Sequence, residues 1–236
     1  ESLHLLSKEN QEDEDVQDRI RDVLRVKAAL LAEQNEFKKS NECLYTASHV
    51  MHRRFTNRYN GKVLVGIASN FLKTAVTDSA IYYAHKALST VTNIDTSDLL
   101  SLPVAHGLYV ENTIKESTDI LAEAFTKKYD QTNDEHFAAA AIACYDIAFT
   151  VENKLLSYYE YDESKLALMA DSRNRSEKAI TLCYRLLQKT RDQQWAQKAF
   201  VFGERNKSVV LLQSLKKNIA ANELLQHDTL YQRMQN

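Results

Sequence analysis

Lys62 to Leu88 reads KVLVGIASNFLKTAVTDSAIYYAHKAL. The stretch predicts two short helices joined by a tight turn. Leu64, Ile67, Ala68 and Phe71 share one face of the first helix, and Ala80, Tyr83, Ala84 and Ala87 share one face of the second. Both sets follow the three-and-four spacing of an amphipathic helix. The small residues Ala68, Ala80 and Ala87 let the two backbones approach, with Phe71 and Tyr83 filling the space beside them. A lone hairpin of this size cannot bury its apolar face, so it has to stack on others like it. The expectation is an all-α chain, an α-solenoid of stacked antiparallel helix pairs.

Composition agrees with that reading. The 236 residues include only four Gly and one Pro, too few for the turns of a strand-rich fold or for long linkers. Thirty basic side chains against thirty-two acidic ones give a formal net charge of −2. This offers no whole-molecule attraction to nucleic acid or to an anionic membrane. No apolar run reaches membrane-span length, so no membrane insertion is expected in this segment. The chain starts at Glu1 rather than Met, which reads as a processed product or an excised piece.

Outward from the hairpin, the helical pattern continues in both directions. Residues 1 to 12 are polar after a short patch at Leu3, Leu5 and Leu6. Val16, Ile20, Val23, Leu24 and Leu31 make the next stripe, with Asp18, Arg19, Arg21, Asp22 and Arg25 mostly outside it. After a break near Asn35, a helix carries Phe37, Leu44, Ala47, Met51 and Phe55, and Asn60-Gly61 reads as its stop. Thr77 or Asp78 is the expected N-cap of the hairpin's second helix. Thr92 to Ser101 is the expected internal loop, and Pro103 places a helix from about Ser101 to Thr113.

Ser117 is expected to cap a helix burying Ile120, Leu121, Ala124 and Phe125, and Thr132 with Glu135 to form a capping box. Phe137, Ala140, Ala141, Cys144, Ala148, Val151 and Leu155 mark the following helix, closed by a corner at Tyr158, Tyr159 and Tyr161. Asp162 is expected to cap a long helix with Leu166, Met169, Ala170, Ile180, Cys183 and Leu187 inward. Asp192 caps one with Trp195, Ala199 and Phe202, and a last helix holds Val209, Leu212, Leu215 and Ile219. The expected organisation is one helical repeat domain over 1–225, with a weak loop near 92–101, and a polar tail over 226–236.

The spacing of Leu64, Ile67, Ala68 and Phe71, then Ala80 and Ala87, resembles the tetratricopeptide repeat. Ala199 to Leu215, AFVFGERNKSVVLLQSL, resembles the end of the repeat region that precedes a CHAT domain, a caspase-like protease domain. An Ala-Phe pair, Glu-Arg-x-Lys and an apolar Val-Leu-Leu fall at Ala199, Phe200, Glu204, Arg205, Lys207, Val210, Leu211 and Leu212. Gly203 and Asn206 depart from that pattern, where Ala and Ser are usual. The resemblance implies a right-handed superhelix serving as the sensing or regulatory part of a larger protein. The protease domain and its catalytic residues would follow Asn236.

Chemistry-bearing residues do not assemble in sequence. His49 and His52 sit three apart without an evident further ligand set, so no metal is expected. Cys43, Cys144 and Cys183 lie far apart inside helical patterns and read as reduced core thiols, leaning toward a reducing, cytoplasmic compartment. There is no Gly-rich phosphate loop and no catalytic set, so neither a cofactor nor an activity is expected of this chain. Lys38-Lys39, Arg53-Arg54, Lys127-Lys128 and Lys216-Lys217 are diluted by acids and read as solvated faces.

The functional expectation is therefore a non-catalytic module that binds a protein or peptide on a concave face lined by the first helix of each pair. In the opening hairpin that register selects Lys62, Val65, Ser69 and Leu72 as contact residues. Glu204, Arg205 and Lys207 are candidates either for fixing a turn locally or for coupling to a following domain. The alternatives are a nucleic-acid-binding helical repeat and a free-standing homo-oligomeric scaffold.

Overall fold

The computed structural model describes residues 14–49, 56–105, 107–156 and 162–205, and every regular element among them is a helix. Two compact units divide the chain, Glu1–Tyr158 and Tyr159–Asn236. The first contains α1 (Glu14–Glu33), α2 (Phe37–His49), α3 (Thr56–Lys73), α4 (Thr77–Val91), α5 (Asn112–Thr132) and α6 (Glu135–Leu156). The second contains α7 (Asp162–Thr190) and α8 (194–205).

Four tight turns join the helices in pairs, and each places one non-glycine residue in the left-handed region. These residues are Asn35, Ala75, Asn133 and Arg191, with φ between 57° and 61°. A left-handed residue after the last turn reverses the chain and lets the next amides satisfy the helix's final carbonyls. Glu36 N–H donates to Leu31 O at 2.8 Å, and Val76 N–H to Phe71 O at 2.9 Å. The third and fourth turns share another device. Thr132 and Thr190 accept at Oγ1 from the amides of Asp134 and Asp192. Each Asp then caps the next helix, accepting from His136 N–H at 3.0 Å and Gln194 N–H at 2.9 Å.

In the first unit α1 packs on α2, α3 on α4 and α5 on α6, while α2 meets α3 and α4 meets α5. The first helices of successive pairs also touch, α1 with α3 and α3 with α5. Leu24, Ala28, Leu44, Ala47, Val63 and Ile67 form one core cluster. Most of the hairpin's predicted face is inward, with Ala68, Ala80, Ala84 and Ala87 completely buried, but at its start Val63 is completely buried and the predicted Leu64 only half-buried. The rings of Phe71 and Tyr83 stack at 5.5 Å with planes 13° apart. The predicted face of α5 is also inward, with Ile120, Leu121, Ala124 and Phe125 buried. Burial of α6 is broader than a single stripe and includes Ile142, Tyr145, Ile147 and Phe149, while Phe137 is half-buried against Phe125.

In the second unit Phe202 is completely buried, together with Leu182, Cys183 and Leu186 of α7. Its carbonyl accepts from Ser176 Oγ at 3.4 Å. The Arg205 guanidinium covers its ring at 5.7 Å. Asp192 caps α8 as expected.

Several local expectations are corrected. Asn60-Gly61 does not stop a helix, because both lie inside α3. Gly61 is there for close approach: a Cβ would stand 2.6 Å from Thr90 Oγ1 and 2.8 Å from Thr113 Cγ2. No helix spans 101–113. Among the described residues of 92–111 the chain is irregular, and Pro103 lies in that loop, where its missing N–H costs nothing. Ser117 caps nothing, since α5 begins at Asn112 with Glu111 accepting from Thr113 N–H.

The Thr132–Glu135 capping box is replaced by the Asp134 cap. Neither Thr77 nor Asp78 caps α4, whose N-cap position is Val76 without a side-chain bond. Arg21 is buried rather than solvated, its guanidinium 5.4 Å over the Tyr59 ring and 3.8 Å from Asp18. The expectations on Leu3, Leu5, Leu6, Met51, Phe55, Tyr158, Tyr159, Tyr161, on the side chains of Asp162, Leu166, Met169 and Ala170, and on everything after Arg205 lie outside the described residues.

Candidate binding groove

Because α1, α3 and the start of α5 lie side by side, the surface between them is a groove of about 750 Å³. Three of the four register-selected positions line it: Lys62, Val65 and Ser69. Leu72 does not. It is half-buried at the end of α3, and its carbonyl accepts from Lys127 Nζ at 3.0 Å. Ala28, Ala29 and Ala32 of α1, Leu44 of α2 and Gly66 of α3 contribute small or apolar surface to the lining. Gly66 matters here because a Cβ on it would meet Leu44 Cδ1 at 3.0 Å.

A buried polar chain fixes the three helices that frame the groove. Asn70 donates from Nδ2 to Ser40 Oγ and to Asn41 Oδ1, both at 2.8 Å, and Ser40 Oγ donates to Ala28 O at 2.8 Å. Both Ser40 and Asn70 are almost wholly buried, so each bond replaces lost water and ties α1, α2 and α3 in register. Sequence reading missed this network. Its one signal was a polar Asn70 seven residues after Val63 and three after Ile67, on the core register.

Four of the six charges of the groove pair with one another. Lys62 Nζ donates to both carboxylate oxygens of Glu116, at 2.8 and 2.7 Å, and Arg25 Nη1 donates to Asp22 at 3.1 Å. Lys73 lies 5.9 Å over the Phe37 ring. Asp22, Glu33 and Glu116 balance Arg25, Lys62 and Lys73, so the lining carries no net charge.

The other singled-out residues lie elsewhere. Glu204 and Arg205 end the described part of α8, both half-buried, and Lys207 is outside it. Lys127 and Lys128 are not a solvated face. The first is bound to Leu72, and the second donates to Asp78 Oδ1 at 2.6 Å, so the pair staples α5 to the opening hairpin. His49 is exposed at the end of α2, and His52 is outside the described residues. His85 is buried with Nε2 3.0 Å from Ser101 O. Cys144 and Cys183 are buried and Cys43 half-buried. Burial, with Asp119 nearby, pushes the Cys144 thiol well above its ordinary range.

Among the described residues no three His, Cys, Asp or Glu side chains gather as a metal site. No helix among them is long and apolar enough to cross a membrane. Over the described residues the fold is all-helical, with an open, charge-neutral cleft between neighbouring helices. No family model, curated protein or solved structure matches the chain.

Proposed function

We propose that this chain is a non-catalytic recognition module, an α-solenoid of tetratricopeptide-like helix pairs that binds a protein or peptide segment in the groove between α1 and α3. The observation that carries the reading is that Lys62, Val65 and Ser69, selected by repeat register alone, line one cleft. The left-handed turn in each pair, and the contact of each first helix with the next in Glu1–Tyr158, support the solenoid arrangement. The absence of net charge in the lining favours a peptide over nucleic acid, whose binding rests on unpaired cations along the backbone track.

On the resemblance of Ala199 to Leu215 we propose further that the module is the sensing part of a protease-bearing protein, with Glu204, Arg205 and Lys207 as coupling residues. The test of the binding role is selection from a displayed peptide library against the wild-type chain. Peptides so recovered should lose binding to a Val65→Glu, Ser69→Glu double variant whose melting temperature is unchanged. Recovery of no peptide, or undiminished binding to the folded double variant, rejects the groove. For the coupling role, a Glu204→Gln, Lys207→Gln variant of a protease-bearing full-length protein should change activation while keeping its fold; unaltered regulation counts against it.

A further inference from the structure

A second cavity, of about 740 Å³, lies where residues 103–111 close over the start of α3 and the end of α4. The irregular segment 92–111 is twenty residues long, which is costly to hold in one shape unless side chains tie it down. Four ties do so. His85 reaches Ser101 O, Tyr109 Oη donates to Val91 O, Lys154 Nζ donates to Leu108 O, and Glu111 pairs with Arg58. The cavity is therefore preformed. Its apolar wall is Val91, Pro103, Val104, Leu108 and Tyr109, of which Val104 is 79% exposed.

Among the described residues that line the cavity, Arg58 is the cation. Arg58 Nε lies 3.1 Å from Glu111 Oε2. Glu111 is buried, and its other oxygen accepts from Thr113 N–H and Oγ1 at 3.1 and 3.0 Å. The carboxylate thus holds the guanidinium from behind. Among the described residues Glu111 is the side chain that pairs with Arg58, through Nε, and the Arg58 side chain is 66% exposed. A guanidinium fixed by one edge presents the other as a planar fork that suits a carboxylate.

The hydroxyls of Ser89, Thr90 and Thr92 along the rim spend their protons on carbonyls of α4, at 2.8, 2.6 and 2.7 Å. A phosphate dianion would meet Arg58, already shared with Glu111, while the nearby Lys154 ammonium is turned to the Leu108 carbonyl. A monoanion attached to an apolar group matches both halves of the cavity.

We infer that this cavity binds an apolar carboxylate, namely the free C-terminus of a peptide ending in an apolar residue, through the Arg58 fork and the wall formed by Val104, Leu108 and Tyr109. A chain terminus carries its carboxylate and its last side chain on one carbon, and Arg58 and the apolar residues line one and the same cavity. The site is separate from the groove and does not depend on it.

The test is fluorescence anisotropy with three probes on the full chain: a dye-labelled tetrapeptide ending in Ala-Leu with a free carboxylate, the same peptide as its C-terminal amide, and unlabelled 4-methylpentanoic acid as competitor. The free acid should bind at least about tenfold more tightly than the amide. Arg58→Gln should abolish that difference. Val104→Glu, on an exposed position that leaves packing intact, should weaken the acid at least about tenfold, whereas Val65→Glu in the groove should not. Equal binding of acid and amide, no binding of either, or full affinity in the folded Val104→Glu variant overturns the inference. Competition by 4-methylpentanoic acid at the peptide's own affinity overturns the peptide source and assigns the cavity to a free small acid.

Discussion

At the scale of single residues, two glycines of α3 show how neighbours decide a residue's role. Gly61→Ala gains helix propensity of about 1 kcal/mol. Its new methyl meets Thr90 and Thr113, two β-branched side chains held by their own hydrogen bonds to Ala87 O and Glu111. Overpacking against such stiff partners costs about 1–3 kcal/mol, so urea unfolding should show a net loss for Gly61→Ala. Gly66→Ala meets only the end of Leu44, which can rotate away, and should be near neutral. The two cases are indistinguishable in sequence.

Cysteine reactivity belongs to the same scale. The fully buried Cys144 thiol is held protonated by desolvation, and Cys183 is equally enclosed. An alkylating reagent at neutral pH should modify Cys43 first and the other two only on unfolding. Mass spectrometry of the native protein reads this directly, and early labelling of Cys144 contradicts the packing.

At the scale of elements, the turns carry the energetics. Ala75 sits at φ 60°, where an alanine pays a steric cost of about 1–2 kcal/mol that glycine avoids. Ala75→Gly should therefore stabilise the hairpin, by about 0.5–1 kcal/mol after glycine's greater unfolded-state entropy is counted. Asp134→Ala and Asp192→Ala remove the caps of α6 and α8 and should each cost about 1 kcal/mol. Both changes are measured by thermal melting followed at 222 nm.

The start of α5 shows where cap reading from sequence fails. Ser117 ranks above Glu as a cap by type, yet Glu111 takes the position because Arg58 and Thr113 fix its carboxylate. Those partners are 53 residues before it and two after, and only the first is nonlocal. Pro103 misled for a related reason: a fixed φ without an N–H suits a loop as well as a helix start.

At the scale of the whole molecule, the described core of Glu1–Tyr158 is supplied by its own helices, from the α1–α3 cluster to the α4–α5 contact. A fragment ending at Tyr158 should keep a helical circular dichroism spectrum and a single cooperative urea transition. A broad, non-cooperative transition in that fragment contradicts the division into two compact units. The groove belongs to this unit alone, so peptides selected on the full chain should bind the fragment too.

Amphipathic spacing by itself determined that the chain is all-helical over the described residues, where most helices lie, and which faces of the opening hairpin turn inward. Period and residue size are local properties, and they are visible in Ile67, Ala68, Ala80, Ala84 and Ala87 without any neighbour. They also placed Lys62, Val65 and Ser69 on a common face. The tertiary structure alone decided that this face joins α1 in a neutral groove, that Arg21 is buried on Tyr59 rather than a surface charge, that Asn70 is buried on Ser40 and Asn41, and that Gly61 marks a crossing. It also decided that 92–111 forms a pinned loop with its own cavity. Each of these depends on atoms brought together from distant parts of the chain, and a one-dimensional pattern holds no record of that juxtaposition.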